Sequence, residues 1–356
     1  MLKVLMFANW PIRRVEEFDY NVLNPDQIVS GERYWFFKSW PNDIEVDVVG
    51  KKKGFFLRPL EDLSRIYIQH AKAFNRIKDY DLLLTFDAST AFLFSLLRSK
   101  VGVYRSIPHI MVDVGMPAAS ETHKNIPSSL IFGMLKQTFN QKSVSHIIFH
   151  SSCQRLFYRD TLGFSEDMLS HVPFGVETDY FKPESVESED YIFAAGEFRD
   201  FATLLSVYER WHTKLPELRI RSELPAPKYL PPKVKWLPRV SISTFKAETL
   251  KSRFVIVPLH YALRSAGVAT CLQSMALGKA VLTSRVPSIE GYVLNGKTAL
   301  YYEPYDQNDL FRKIALLLKD DKFVDELGKN ARAEVEARFT VENMGMQLWN
   351  CVSKVL

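Results

Sequence analysis

The residues best suited to chemistry lie in one loop of the second half of the chain. An apolar run at 254–259 leads into a loop that ends in Arg264, Ser265, Ala266 and Gly267, and a helical apolar pattern begins directly after it. The first N–H groups of a helix are unpaired and its dipole is positive there, so small residues in front of it leave room for a phosphate. The pattern predicts a phosphate-binding loop. The alternative is a strand-loop-helix unit that binds nothing.

Arg199 offers a second cation in a similar position. It follows an apolar run at 191–196 that ends in Gly196, and it precedes another predicted helix. A guanidinium at a strand-to-helix turn can donate two parallel hydrogen bonds to phosphate oxygens. The alternative is a surface ion pair with Asp200 or Glu197.

Polar residues of the first half form a second candidate group. Asp87 and Asp113 each follow an apolar run, as do Asn9 and Trp10, and His123 lies in a polar loop. A carboxylate there could bind a substrate hydroxyl or accept a proton, and His123 could act as a base. The alternative is that each aspartate caps a helix or a turn, and that His123 is a solvated residue.

The elements that must position these groups alternate along the chain. Short apolar runs predict buried strands at 3–8, 45–50, 81–86, 109–114 and 145–149 in the first half, with helices predicted at 31–40 and 60–77. Strands that alternate with helices indicate an α/β protein with doubly wound parallel sheets. Ligands of such sheets bind beyond the carboxyl ends of the strands, which is where the candidate residues fall.

A break in the pattern divides the chain. Pro183 and the acidic run at 184–190 predict an exposed, extended connector. We therefore expect a first domain at 1–183, a second domain at 184–338 and a final helix at 339–356.

Composition narrows the class of protein. The chain has 356 residues, 47% of them hydrophobic, and a formal net charge of +5. This mild excess is not that of a dedicated nucleic-acid binder, but it suits anionic small molecules or an anionic membrane surface. The three cysteines lie far apart without metal-ligand spacing, and no apolar run is long enough to span a bilayer. We expect a cytoplasmic protein with no bound metal and no nucleic-acid partner.

Two segments of the first half suit a membrane surface. Lys51, Lys52 and Lys53 lead into the apolar and basic residues up to Arg58. Residues 128–142 predict an amphipathic helix whose stripe is formed by Leu130, Met134, Leu135 and Phe139. They predict peripheral contact with the inner face of the cell membrane. The alternative is that both segments simply complete their own domain.

Several motifs of the second half resemble those of one enzyme family. The matching residues are Pro173, Gly175-Val176-Glu177, Phe181 and Pro183, then Cys271-Leu272-Gln273-Ser274-Met275-Ala276, Gly278-Lys279-Ala280-Val281, Gly291-Tyr292-Val293, Asn295-Gly296 and Phe339-Thr340. From about residue 169 to 339 the chain resembles nucleotide-sugar glycosyltransferases with the GT-B architecture, of the retaining family-4 type (glycosyl transferases group 1). The resemblance implies two Rossmann-like domains that face a central cleft.

The resemblance also implies a reaction. A sugar would pass from a nucleoside-diphosphate donor to an acceptor hydroxyl, with retention and without a metal or cofactor, in polysaccharide biosynthesis. The acceptor would be a glycan, a lipid-linked sugar or a small molecule, bound by the first domain. One alternative is a GT-B nucleotide-sugar epimerase, for which His260 and Glu290 are the nearby acid/base groups. Another is a nucleotide-binding pseudoenzyme or scaffold.

The same resemblance assigns roles to residues. The donor diphosphate would contact Gly196, Arg199 and the loop from Arg264 to Gly267, while Arg239, Val240 and Gln273 would bind the nucleoside. Arg199 and Gln273 are catalytic candidates, and Asp113 is a third because of its place after a strand of the first half rather than because of a family motif. Around the donor the chain departs from the family pattern: Gln273 stands where the second of two glutamates is usual, Ser265 is the residue closest to the position of the first, and Glu197 stands where arginine is usual.

Overall fold

Two six-stranded parallel sheets form the framework of the chain, in a computed structural model that describes residues 1–8, 35–50, 73–119, 125–222, 224–237 and 241–356. The first sheet contains β1 (Leu2–Phe7), β2 (Ile44–Val49), β3 (Leu82–Phe86), β4 (His109–Asp113), β5 (His146–Phe149) and β6 (Leu169–His171). Its strand order is β2-β1-β3-β4-β5-β6. Four of these strands are buried over most of their length, as expected for parallel strands covered on both faces.

Helices α1 (Ala88–Lys100) and α2 (Ser128–Thr138) belong to this first domain. Short 3-10 turns occupy Trp35–Ser39, Ile77–Asp79, Met116–Ala118, Ser152–Gln154 and Glu166–Met168, and a π-helical turn spans Phe157–Leu162. The helix predicted at 31–40 is described only from residue 35, where it is a 3-10 turn. Most of the helix predicted at 60–77 lies outside the described residues.

The second sheet has the order β12-β11-β10-β7-β8-β9. Its strands are β7 (Tyr191–Ala195), β8 (Glu217–Arg221), β9 (Val234–Leu237), β10 (Val255–Val257), β11 (Val281–Ser284) and β12 (Leu300–Tyr302). Its helices are α3 (Phe201–Trp211), α4 (Ile242–Lys251), α5 (Val268–Ala276), α6 (Gln307–Lys319) and α7 (Asp321–Arg338), with 3-10 turns at His212–Lys214 and Pro287–Ile289. The strand order reverses between β7 and β10, and this reversal opens a crevice at their carboxyl ends.

Hydrogen bonds hold the two domains together. The Tyr292 hydroxyl donates to the carbonyl oxygen of His150 and accepts a hydrogen bond of 2.8 Å from the Phe174 N–H. The Ser151 hydroxyl donates to the Ser288 carbonyl oxygen at 3.2 Å. These contacts lie between the 3-10 turns that follow β5 and β11, so one edge of the cleft is closed by direct bonds.

The last helix, α8 (Val341–Val352), lies on the first sheet rather than on the second. Its apolar residues share a buried cluster with Val4 and Met6 of β1. The Trp40 indole N–H donates to the Gly345 carbonyl oxygen at 3.0 Å, and Gly345 also lies directly against the Phe36 carbonyl. The chain thus crosses from the second domain back to the first. No helix of the described ranges is long and apolar enough to cross a bilayer.

We predict that Gly345→Ala destabilises the fold. A methyl group at this position overlaps the Phe36 carbonyl oxygen, so α8 must move away from the turn at Trp35–Ser39. Overpacking of this kind costs roughly 1–3 kcal/mol, measurable by urea unfolding. Gly133→Ala is the matched control because an added methyl group there meets open space on helix α2, where alanine is favoured over glycine. Equal stability of both variants would contradict the close contact.

Candidate functional site

The crevice between β7 and β10 brings the two predicted cation positions together. Gly196 follows β7 with a φ of 119°, and a side chain there would overlap the guanidinium of Arg199. That guanidinium folds back and donates to the carbonyl oxygens of Ala195 at 3.3 Å and Glu197 at 2.6 Å. Its third hydrogen bond, of 3.2 Å, goes to the Thr270 hydroxyl in the first turn of α5. Arg199 is therefore held at the N-terminus of α5.

The electrostatics at Arg199 follow from this position. Burial lowers the pKa of Arg199 to about 10; the charge of Glu197 opposes this shift, and the nearby charge of Arg264 adds to it. The group still carries its charge at neutral pH. A cation that is largely removed from water beside a second cation is stabilised by any anion that can reach both.

The loop after β10 supplies that second cation and the start of helix α5. Gly267 begins the helix with a φ of 80°, and a side chain there would overlap Leu259. Since glycine has no side chain with which to cap the helix, the first N–H groups of α5 remain available to a ligand. Ser265 and Ala266 lie half-buried between Arg264 and this helix start. A bulky replacement of Gly267 would thus disturb packing as well as any phosphate contact.

Arg264 lies over an aromatic ring. Its guanidinium carbon is 5.3 Å from the centroid of the Phe198 ring. The Arg264 Nε atom is buried, and the described residues offer it no hydrogen-bond partner. A buried donor without a partner is costly, so this atom indicates a site that an acceptor group can complete.

Of the remaining donor-side predictions, Gln273 is buried on α5, three residues after Thr270 and therefore on the same side of the helix. Arg239 and Val240 lie outside the described residues. Thr270 was not predicted from the sequence, although its spacing to Gln273 was available as a signal. Among the described residues, no group of three or more His, Cys, Asp and Glu side chains could hold a metal ion.

Comparison with known proteins agrees with this geometry. The family model described as Glycosyl transferases group 1 matches residues 222–334, which include the Arg264 loop and α5. The second domain is a glycosyl transferase group 1 domain. The resemblance to glycosyl transferases group 1 is confirmed for this domain, and the chain is a glycosyltransferase with the GT-B architecture. No curated protein sequence matches the chain.

Solved structures show the same fold over the whole chain. Sucrose-phosphate synthase (tll1590) from Thermosynechococcus elongatus is similar with a TM-score of 0.74 at 14% identity, covering 100% of this chain and 99% of that one. Anabaena Alr3699/HepE, in complex with UDP and glucose, is similar with a TM-score of 0.68 at 14% identity, covering 99% of this chain and 100% of that one. WaaG, a glycosyltransferase involved in lipopolysaccharide biosynthesis, is similar with a TM-score of 0.65 at 12% identity, covering 98% of this chain and 99% of that one.

On the first-domain side of this glycosyltransferase, the two aspartates have structural contacts. The Asp113 carboxylate is 0% exposed and accepts hydrogen bonds from the Met116 N–H at 2.9 Å, the Ala88 N–H at 3.3 Å and the Tyr158 hydroxyl. Asp87 caps α1 by accepting from the N–H two residues later at 2.8 Å. These contacts support the capping alternative for both residues. Asn9, Trp10 and His123 lie outside the described residues.

The surroundings of Asp113 change its acidity. Burial and the charge of Asp87 raise the pKa of Asp113 to about 6, although its hydrogen bonds from Tyr158 and Met116 oppose the shift. The folded glycosyltransferase therefore binds this proton more tightly than the unfolded chain, in which an aspartate has a pKa near 3.9.

We predict that the Asp113 carboxyl makes the fold less stable as the pH rises. Its contribution to the free energy of unfolding is fully present below about pH 4 and is lost as the pH rises through about 6. Asp113→Asn stays neutral and should lack this fall in the free energy of unfolding, measured with urea between pH 4 and 7. The control is Asp43→Asn, at an exposed position, for which the free energy of unfolding should change with pH as steeply as in wild type. Equal slopes for wild type and Asp113→Asn would contradict the raised pKa.

Proposed function

We propose that the glycosyltransferase moves a sugar from a nucleoside-diphosphate donor to an acceptor hydroxyl in the cleft between its domains. One observation carries this proposal: Arg199 is bonded to the open first turn of α5, and Arg264, from the loop that opens this helix, lies close enough for its charge to act on Arg199. Two guanidinium groups beside one helix N-terminus, one of them with a buried N–H in need of an acceptor, suit a diphosphate.

The same groups account for the chemistry of the leaving group. When the bond between the sugar carbon and the diphosphate oxygen breaks, negative charge grows on that oxygen. Arg199 is held in place beforehand by three hydrogen bonds, so it stabilises the charge without rearranging. We propose that these cations serve in place of a metal and that no cofactor takes part.

Retention is proposed as the stereochemical outcome. The acceptor hydroxyl attacks the sugar carbon on the face from which the diphosphate leaves, and its proton passes to the departing diphosphate oxygen. No separate base is then required, which is consistent with the structural contacts of Asp113. Gln273 would bind the ribose hydroxyls as a neutral hydrogen-bonding group, and Arg239 and Val240 would contact the nucleobase.

UDP is the nucleotide that we propose for the donor. The support is the likeness in fold to HepE, which was solved with UDP and glucose and also with UDP-glucose. The proposed acceptor is a glycan or a lipid-linked sugar, and the fold of WaaG, a lipopolysaccharide enzyme, supports a role in polysaccharide biosynthesis.

We predict that Arg264→Ala weakens UDP binding without lowering the apo melting temperature. A charge-assisted hydrogen bond contributes roughly 1.5–3 kcal/mol, so the Kd should rise about ten- to a hundredfold, as measured by calorimetry. Arg264 is a cleaner test than Arg199, because Arg199 also ties β7 to α5. Arg253→Ala is the matched control: it removes an arginine at the opposite end of β10, where the side chain pairs with Asp190 and Asp321.

Two results would contradict the proposal. If Arg264→Ala and Arg253→Ala bind UDP alike, the diphosphate does not lie at this loop. If UDP, ADP and GDP all leave the wild-type melting temperature unchanged, the chain does not use a nucleotide donor. A nucleotide at a hundred times its Kd should stabilise the fold by about 2.7 kcal/mol.

We also propose that the enzyme works at the inner face of the cell membrane. Helix α2 buries Ile131 and Leu135, but Leu130 is 65% exposed and Met134 is 50% exposed. The predicted single stripe is therefore wrong: Leu135 and Phe139 face the core while Leu130 and Met134 face outward. An outward apolar pair on a surface helix suits peripheral contact with lipid. The basic segment at 51–58 lies outside the described residues.

We predict that a Leu130→Ser, Met134→Ser double variant binds phosphatidylglycerol vesicles more weakly than wild type at low salt. The reason is that about 25 cal/mol is lost for each Å² of apolar surface no longer buried in lipid. Co-sedimentation measures the effect, with Leu316→Ser, an exposed leucine on α6, as the control. Wild-type protein that stays in the supernatant, or equal binding by the double variant, would refute the membrane contact.

A further inference from the structure

Exposed aromatic side chains continue from Arg264 along the cleft edge of the second sheet. They are Phe198, His260, Tyr261 and Tyr305, which we call the aromatic rim. Phe198 is 66%, Tyr261 57% and Tyr305 53% exposed, and His260 is also exposed. Adjacent exposed rings are unusual on a protein surface unless they bind something.

The rim is one continuous surface. An antiparallel bridge pairs Arg199 with Leu259, which brings Phe198 opposite His260; both are exposed, whereas Leu259 is buried. The His260 ring centroid is 6.0 Å from that of Tyr305, with the planes inclined by 32°. The Tyr261 N–H donates to the Tyr305 hydroxyl at 3.0 Å. The loops after β7, β10 and β12 therefore share one row of rings.

Two members of the rim have an unfavourable backbone. Phe198 has a φ of 53° and Tyr305 a φ of 65°, a left-handed conformation that bulky residues rarely adopt. Exposed rings add nothing to the core, so packing does not explain aromatic residues at these two positions. Strained backbone at exposed side chains beside a cleft is typical of ligand-binding positions.

The chemistry of the rim suits a carbohydrate. One face of a pyranose ring carries C–H groups that pack on the negative face of an aromatic ring, and its edge carries hydroxyls. Tyrosine, histidine and the neighbouring Arg264 supply polar atoms at the edges of the rings. From β7 to β12 the row crosses three strand spacings, roughly 14 Å, which is longer than one sugar ring.

We infer that the aromatic rim binds an oligosaccharide acceptor, with consecutive sugar rings stacked from Tyr305 toward Phe198. This inference rests on the proposed function, and it narrows the acceptor to a glycan of more than one sugar. It also places that glycan on the second domain, whereas the resemblance in the sequence implied binding by the first. Arg264 links the two ligands, because its guanidinium lies over the Phe198 ring and its buried Nε atom belongs to the candidate diphosphate site. A glycan on the rim therefore ends beside the donor.

A pair of variants at Tyr305 tests the stacking. Tyr305→Asn removes the ring, and asparagine tolerates the left-handed backbone. Tyr305→Phe keeps the ring and loses only the hydroxyl that accepts from the Tyr261 N–H. The probe is a glycan array of bacterial polysaccharide fragments, each of two to six sugars, incubated with protein saturated with UDP. Tyr229→Asn removes another exposed ring, whose hydroxyl bonds to Glu209 in the last turn of α3, and is the control.

We predict that Tyr305→Asn retains glycans roughly three- to tenfold more weakly than wild type, while Tyr305→Phe and Tyr229→Asn bind as wild type does. Absence of glycan retention by wild type, or equal retention by Tyr305→Asn, overturns the inference. So does a Tyr305→Asn variant that loses binding only to phosphatidylglycerol vesicles, because the rim would then face a membrane.

Melting temperatures with UDP, measured on the same preparations, separate this inference from the proposed function. UDP should raise the melting temperature of wild type and of both Tyr305 variants alike. If UDP raises the melting temperature but the array retains no protein, only the inference about the aromatic rim is overturned. A chain that responds to no nucleoside diphosphate overturns the nucleotide-donor proposal.

Discussion

The hydrogen bonds of Arg199 are the constraint on which the donor half of this glycosyltransferase depends. They tie the carboxyl end of β7 to the first turn of α5, which are separated by about 70 residues of chain. Gly196 makes room for the guanidinium, and the bridge to Leu259 aligns the two loops. Leu259 in turn fills the space that a side chain on Gly267 would occupy. Two glycines and one arginine thus set the shape of the crevice together.

That shape has an electrostatic consequence. Arg199 and Arg264 repel one another, and the N-terminus of α5 adds a further partial positive charge. The carbonyl oxygens around Arg199 satisfy its hydrogen bonds but do not neutralise its charge. The nearby Glu197 carboxylate offsets part of this charge, but two arginines and a helix N-terminus leave the crevice positive, which favours a doubly charged anion over a neutral molecule.

The junction between the domains is built on a different principle. Tyr292 reaches from the second domain to the backbone of the first, where it bonds at once to the carbonyl of His150 and the N–H of Phe174. Arg332 of α7 fastens the connector by donating to the carbonyl oxygens of Phe181 at 2.6 Å and Ala276 at 2.8 Å. Hydrogen bonds from side chains to backbone groups therefore join the two domains at one edge of the cleft. Helix α8 adds apolar packing, because it follows the second domain in the chain and lies on the first sheet.

The sequence by itself determined the α/β class, the second-domain motifs and the places where chemistry was expected. Apolar runs of strand length and glycines before helices are local signals, so the Arg264 loop and the position of Arg199 were both visible in it. Local signals could not decide the roles of Asp87 and Asp113. A carboxylate after a strand is the same pattern whether it faces a cleft or caps a helix, and the hydrogen bond from Tyr158 comes from 45 residues away.

Only the tertiary structure decided which groups meet. The strand order placed β7 beside β10 and so brought Arg199 to Thr270. The same order aligned Phe198, His260 and Tyr305 from three loops that no sequence spacing connects. Packing also split the apolar stripe of α2, turning Leu135 inward and leaving Leu130 outside. Local patterns specify elements, whereas contacts between distant loops depend on how the sheet is wound.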